Sequence, residues 1–410
     1  IYSYDERGNR ISKEQTKDEV SLMIWTGPRP AYEEGEGYTQ YYYDNNNRLT
    51  GSSYDYEEYM NEDKTFTYDK NGNMITRDTV VFYDDYPPEG SSYEIYEEKY
   101  ESFEYNGFNR LKSYTDTNKT ASYAYDGTGT RIGKTVNGVS TGQIWNNGNV
   151  IAEYGTKGTK TYIRGAGGEI VKTKDSTSNS RYFSYNAHGD TTNIIEKNAE
   201  STSFAVTAAY EYDAFGGLVS GIGGGEAESN AFRYNGQYTD EETGLIYLRN
   251  RYYDPSIGRF TQEDTYWNPG NMIYGDQQFE EGEVKIPDYY AIVQSANLYV
   301  YCSNDPVNGV DPTGMVAYEW FNSSDEAAMD WAWNYYAKTD YSRFEQLSII
   351  YKIKSGDKVY YTYGYAVDIL ESSSVANPHY SDPNAARQYA PTGIIGWEVS
   401  EYGFVHSHAS

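Results

Sequence analysis

The chain has 410 residues, room for about two or three domains, and its 61 acidic against 33 basic residues give a formal net charge of -28. That charge excludes nonspecific binding of nucleic acid or an anionic membrane surface through the chain as a whole. Low hydropathy with high charge describes disorder, but 49 tyrosines oppose it, because Tyr fills half-buried strands and keeps a polar tip in water. An ordered protein, mainly β, is expected. Its single cysteine, Cys302, excludes an intrachain disulfide. No stretch reads as a signal peptide or membrane span. The chain opens on Ile1 with a repeat running at Tyr4, so it is expected to be a piece of something longer.

Repeats dominate the first half. Tyr4-Asp5-Glu6-Arg7-Gly8-Asn9-Arg10 recurs at Tyr68–Asn73 and Tyr125–Arg131. Copies that read as one residue shorter stand at Tyr43–Leu49 and Tyr105–Leu111, and looser ones at Tyr185–Asp190 and Tyr212–Gly216. A strand is expected to end at the Tyr. Asp or Asn with Gly then turns the chain through positive φ, and the next strand starts at the following Arg, Leu or Ile. Acidic inserts at Tyr54–Lys64 and Tyr83–Tyr100 interrupt the series, the second with a Pro87-Pro88-Glu89-Gly90 breaker. Gly221–Ser229 reads as a Gly/Glu linker.

Helical periodicity is nearly absent until Ser323. There Ser323 and Glu326 fit a capping box, followed by Ala327, Trp331 and Tyr335 at spacing four. Strands are expected at Gln346–Lys354, Val359–Asp368, Gly393–Val399 and Gly403–His408, with a Pro-rich loop at Asn377–Thr392. This end reads as a small α+β domain. Trp331 and Trp333 are expected in core and on a helix surface, His379 in a solvated loop, and His188 carries no assigned chemistry.

Between these halves lie several blocks: Tyr247-Leu248-Arg249-Asn250-Arg251-Tyr252-Tyr253-Asp254-Pro255, Gly258-Arg259-Phe260, Asn297-Leu298-Tyr299, Asn304-Asp305-Pro306 and Asp311-Pro312-Thr313-Gly314. With the repeats, they resemble the YD repeats and Rhs-repeat-associated core of bacterial polymorphic toxins. The resemblance implies a mainly β fold, a YD-repeat sheet spiralling into a hollow shell, followed by the small α+β domain. It divides the chain into repeats at 1–231, core at 232–314 and a variable C-terminal effector domain at 315–410. It implies a toxin that is secreted or held at the cell surface or cell wall of a bacterium. The shell would encapsulate and deliver the effector in competition between bacteria. The implied partners are the chain's own effector and a cognate immunity protein, with no nucleic acid held by the shell and no membrane span in this piece.

The same resemblance assigns self-cleavage to two aspartates, here Asp264 and Asp311, with the cut between Met315 and Val316. Two carboxylates sharing a site push their pKa values apart. One then serves as general base for water while the other, protonated, polarises the scissile carbonyl. The chain departs from the family pattern at two places. Thr265-Tyr266 follows Asp264 where the family has Pro, and an insert, Trp267–Gln294, separates the aspartates. The other reading is that Asp264 caps a turn and Asp311–Gly314 is a tight turn, in a cell-surface structural or adhesive protein that never cleaves. Arg249, Arg251 and Arg259 are expected to pair with surrounding carboxylates.

A second constellation is Phe404-Val405-His406-Ser407-His408. On a strand, i and i+2 share a face, about 7 Å apart, and two imidazoles there can converge on one metal ion. With Glu345 ahead of the apolar strand, the arrangement resembles JAMM-type zinc metalloproteases. That implies zinc held by His406 and His408, Glu345 assisting water attack, and a zinc-dependent hydrolase as effector. The third ligand of that pattern, an Asp, would fall past Ser410.

Overall fold

The computed structural model describes residues 1–16, 36–56, 60–83, 94–146, 148–156, 158–165, 168–175, 180–197, 204–222, 230–275, 285, 287–315, 318–319, 345–355, 358–363, 367–369 and 398–406. Eighteen strands, β1 (Tyr2–Tyr4) to β18 (Leu218–Ile222), form one sheet. Each pairs antiparallel with the next in sequence. The fold is mainly β, as expected.

Every repeat makes one and the same turn. The Tyr that ends a strand pairs with the residue six positions on: Tyr4 with Arg10, Tyr43 with Leu49, Tyr68 with Met74, Tyr105 with Leu111, Tyr125 with Arg131, Tyr185 with Thr191 and Tyr212 with Leu218. In the first copy Asp5 Oδ1 accepts from the backbone N–H groups of Arg7 (2.9 Å) and Asn9 (2.8 Å). In the second, Asp44 does the same to Asn46 (2.9 Å) and Arg48 (3.0 Å). The fourth turn residue has positive φ, Gly8 at 73° and Asn47 at 61°. The copies that read as one residue short are therefore equal in length. Asn replaces Gly at the left-handed position, which its short polar side chain tolerates.

The described parts of the two acidic inserts are sheet. Their arms run as Leu49–Tyr56 and Met60–Tyr68, and as Met74–Tyr83 and Glu94–Tyr105. The Pro87–Gly90 breaker falls in a stretch, 84–93, outside the described residues, as does most of the Gly/Glu linker.

One face of the sheet is covered by the core segment. A single cluster joins Leu49, Met74, Leu111, Val150 and Ile170 of the sheet to Phe232, Tyr238, Leu245, Tyr247, Tyr252 and Ile257 of the segment. Each such side chain contributes about 1.5–3 kcal/mol on burial. Within the segment, β19 (Tyr238–Asp240), β20 (Leu245–Leu248), β21 (Arg251–Asp254) and β22 (Arg259–Phe260) make a small antiparallel sheet. Buried ion pairs pin it down. Arg77 of the large sheet bonds Glu101 and, from the segment, Asp254, both at 2.6 Å. Arg131 pairs with Asp240, and Lys134 reaches Asp240 (2.9 Å) and Glu242 (2.8 Å).

The segment also grips the tips of the turns. Asn297 Nδ2 donates to Asn9 Oδ1 (2.7 Å), Arg259 Nη2 to the Asn47 carbonyl (2.9 Å), Tyr299 Oη to the Gly72 carbonyl (2.8 Å) and Asn304 Nδ2 to the Gly8 carbonyl (2.9 Å). The short blocks at 258–260, 297–299 and 304–306 are thus, in large part, side chains that read the repeat turns.

The insert between the aspartates holds a short helix, α1 (Tyr289–Ser295), capped by Asp288, whose Oδ1 accepts from Ala291 N (3.0 Å). Periodicity had given no helix before Ser323. Beyond the core, β23 (Gly309–Val310) pairs with β24 (Tyr318–Glu319). The last sheet holds β25 (Glu345–Ser355), β26 (Lys358–Tyr363), β27 (Val367–Ile369) and β28 (Glu398–His406). Two differences from expectation stand out. Within the stretch expected as Val359–Asp368, β26 ends at Tyr363 and β27 starts at Val367, and β28 runs unbroken from Glu398 to His406 across the break expected after Val399. The expected helix from Ser323, the Pro-rich loop, Val316 and His408 lie outside the described residues. No helix among the described residues is long and apolar enough to cross a membrane.

Candidate active site at the end of the core segment

Three stretches meet around one arginine. Arg251 opens β21 just after the β20–β21 turn, Asp264 follows β22, and Asp311 follows β23. The Asp264 backbone is fixed by its N–H on the Leu298 carbonyl (3.0 Å), and its Oδ1 accepts from Tyr266 N (2.8 Å). Asp264 does cap a turn, and the capping bond comes from residue 266. The missing Pro at 265 therefore removes no partner of this carboxylate.

Arg251 Nη2 lies 2.8 Å from Asp264 Oδ2 and 3.6 Å from Asp311 Oδ2. Its Nη1 donates to the Leu298 carbonyl (3.0 Å) and its Nε to the Gly314 carbonyl. The guanidinium carbon sits 3.5 Å from the centre of the Phe260 ring. Asp311 Oδ1 accepts from Gly314 N (2.8 Å), Met315 N (3.1 Å) and Thr313 Oγ1 (3.3 Å). Both sequence-predicted aspartates thus come together at one buried point, with the Met315 N–H on Asp311. Arg251, Asp264 and Asp311 are 5%, 7% and 3% exposed.

Burial governs the electrostatics. It pushes the Asp264 carboxyl up to about 6, against the pull of Arg251 and the Tyr266 N–H. Burial also raises Asp311, against Arg251 and the N–H groups of Met315 and Gly314. The Arg251 guanidinium is pushed down by burial, opposed by the two aspartates. Sequence reasoning expected mutual repulsion to set the carboxylates apart. The repulsion from Asp311 is the last and smallest of the influences on Asp264, because a cation stands beside both. The result still suits proton transfer, since a carboxyl near 6 holds or releases a proton near neutral pH.

The expectation for the arginines holds for Arg251 and needs correction for its neighbours. Arg249 donates to the carbonyls of Gly148 (2.9 Å) and Pro312 (2.7 Å) and to Gln237. Arg259 bonds Asn47 O and Asn297 Oδ1 and lies over the rings of Tyr43 and Tyr299. Among the described residues neither forms an ion pair. Arg251 was legible as a charge partner; its place between both aspartates needs the fold, because the three residues lie on separate stretches of chain.

The second constellation is reached in part. β25 pairs with β28 and sets Leu347 opposite His406. Glu345 lies two residues along β25 from that position, with Ile369 of β27 opposite it.

No family model matches the chain. The "tRNA3(Ser)-specific nuclease WapA" of Bacillus spizizenii is 34% identical over 198 residues, covering 47% of this chain and 7% of that protein. "Salivary gland surface protein 1" of Aedes aegypti is 28% identical over 265 residues, covering 59% of this chain and 7% of that protein. The chain therefore spans less than a tenth of these relatives. Among solved structures, the Photorhabdus luminescens Tc holotoxin pore aligns with 77% of this chain and 16% of its own, at 17% identity and a TM-score of 0.37. Two further WapA nucleases, from Bacillus subtilis, are 35% identical over 198 and 205 residues, covering 47% and 49% of this chain and 7% and 8% of those proteins.

Proposed function

We propose that this chain is the closing part of an Rhs-type toxin shell, and that Asp264, Asp311 and Arg251 cut it at the Met315–Val316 peptide bond. The observation that carries the reading is the convergence of both aspartates and the Gly314 carbonyl on one buried arginine, with the Met315 N–H held on Asp311. Asp264, raised to about 6, carries a proton and polarises the Met315 carbonyl. Asp311 binds the Gly314 and Met315 amides and takes a proton from water. The water oxygen adds to the Met315 carbonyl carbon, the C–N bond breaks, and the Val316 nitrogen leaves with the proton that Asp311 took from water. Arg251 holds both carboxylates in place and keeps them tolerable in a buried site.

The repeat sheet is part of the wall of a hollow shell, and the chain beyond Met315 is its cargo. Cutting frees that cargo for delivery to a competing bacterium, while a cognate immunity protein protects the producer. Such a toxin works outside the producing cell, secreted or at its wall. Intact mass of the purified chain tests the reading: a fragment beginning at Val316 is expected, and it should vanish in Asp264→Asn. A chain that stays whole favours a structural surface protein, the reading to which the Aedes aegypti surface protein lends weight.

A second proposal concerns 315–410: a zinc-dependent hydrolase with His406 and His408 as ligands and Glu345 assisting water. Direct pairing of β25 with β28 favours it. Two imidazoles are half of the four ligands of a tight site, so the test is metal analysis of the protein extended past Ser410: stoichiometric zinc is expected, lost in His406→Ala, and its absence removes the proposal.

A further inference from the structure

The turn between β20 and β21 does more than join two strands. Three consecutive residues of it each hold one of three consecutive carbonyls. Arg249 Nη1 donates to the Pro312 carbonyl (2.7 Å). Asn250 donates to the Thr313 carbonyl twice, from its backbone N (3.2 Å) and from Nδ2 (3.1 Å). Arg251 Nε donates to the Gly314 carbonyl. The sequence separation is 63 in all three side-chain bonds, so the two stretches run in fixed step.

Two features show that this step is enforced. Arg249 sits at φ 65°, a left-handed conformation that a long side chain adopts at a cost, and this places its guanidinium beside Gly148 and Pro312. Gly314, at φ 68°, lies so close to the turn that a Cβ there would come within 2.9 Å of the Leu248 carbonyl and 3.1 Å of Arg251 N. No side chain fits between the two stretches at that point.

We infer that Arg249 and Asn250 are positioning residues that set the cut position. This rests on the self-cleavage proposed above. The carbonyls of 312, 313 and 314 are each held by donors of the turn, which fixes this stretch in place up to Gly314. Among the described residues no donor engages the Met315 carbonyl, although the Met315 N–H is fixed on Asp311. Met315–Val316 is therefore the first peptide bond past the clamp, and counting from the clamp decides where the chain is cut. Loosening the clamp lets the segment slip against Asp264 and Asp311.

Asn250→Ala and the pair Arg249→Gln/Asn250→Ala test this, read by intact mass and by amide hydrogen exchange. For the wild type, one fragment beginning at Val316 is expected. The variants should cut more slowly, on the order of a hundredfold for a displaced reacting group, and at more than one bond. An unchanged rate at a single unchanged bond in both variants overturns the inference. Exchange separates this from failure of the cleavage reading. In a wild type that does not cut, the Gly314 and Met315 amides should still be protected and lose protection in the double variant. Protection retained there overturns the clamp by itself. Asn250→Ala, at an exposed bond, covers the case in which the double variant does not fold.

Discussion

The repeat turns and the Asp311 turn use the same local device and reach opposite electrostatic results. Asp5 accepts two backbone N–H groups, as Asp311 does. At Asp5 burial is the largest single influence and pushes up, but the bonds from Asn9 and Arg7 together outweigh it, so its carboxyl stands below the usual range. At Asp44 the bonds from Arg48 and Asn46 outweigh burial in the same way. At Asp311, 3% exposed, burial wins and the carboxyl stands above that range. Hydrogen bonds to a carboxylate favour its charged form, and desolvation opposes it. The motif by itself makes a turn, and the core segment packed on the sheet raises the pKa of a turn carboxylate.

The largest way to break this contrast is to remove the cation. Arg251→Met leaves two buried carboxylates without it, and a loss of about 3–5 kcal/mol of stability is expected in chemical denaturation. An equivalent change beside an exposed repeat turn should cost far less. Next comes the proton. Asp264 has a folded-state pKa raised to about 6 from 3.8, so the stability it contributes is complete below about pH 4 and is lost as pH rises through 6. Wild type should lose about 2–3 kcal/mol more than Asp264→Asn between pH 4 and 7. Parallel stability–pH curves for the two would remove burial as the cause. Self-cleavage should weaken over the same window as Asp264 gives up its proton.

Smaller effects sharpen the comparison at the glycines. Gly314→Ala meets both the left-handed φ and the Leu248 carbonyl. It should cost about 1–2 kcal/mol from backbone strain and loosen the Asp311 turn. Gly8→Ala carries the strain at φ 73° but meets a side-chain atom, Asn304 Nδ2, at 3.3 Å. It should cost about 1 kcal/mol and leave cleavage unchanged. If Gly8→Ala abolishes cutting as fully as Gly314→Ala, the two turns are not functionally distinct.

Much of this was legible in residues. Tyr followed by Asp and Gly fixed strand ends and turns because Asp bonds its own backbone and Gly accepts positive φ. The equal length of the Asn copies was not legible, since Asn47 and Asn109 take the left-handed position that Gly marks elsewhere. The aspartates were named from a resemblance. The Arg251 bridge and the clamp at 249–250 were hidden because sequence places them 13 to 63 residues from their partners. Arg249 and Arg259 were misjudged for a physical reason: so acidic a chain points to a carboxylate partner, yet packed turns present carbonyls instead.

The most direct measurement is the intact mass of the purified chain beside Asp264→Asn and Asp311→Asn, held at pH 5 to 7. The account predicts a wild-type fragment whose mass begins at Val316, absent from both variants. A wild-type chain that stays whole across that range, or the same fragment from all three, contradicts it.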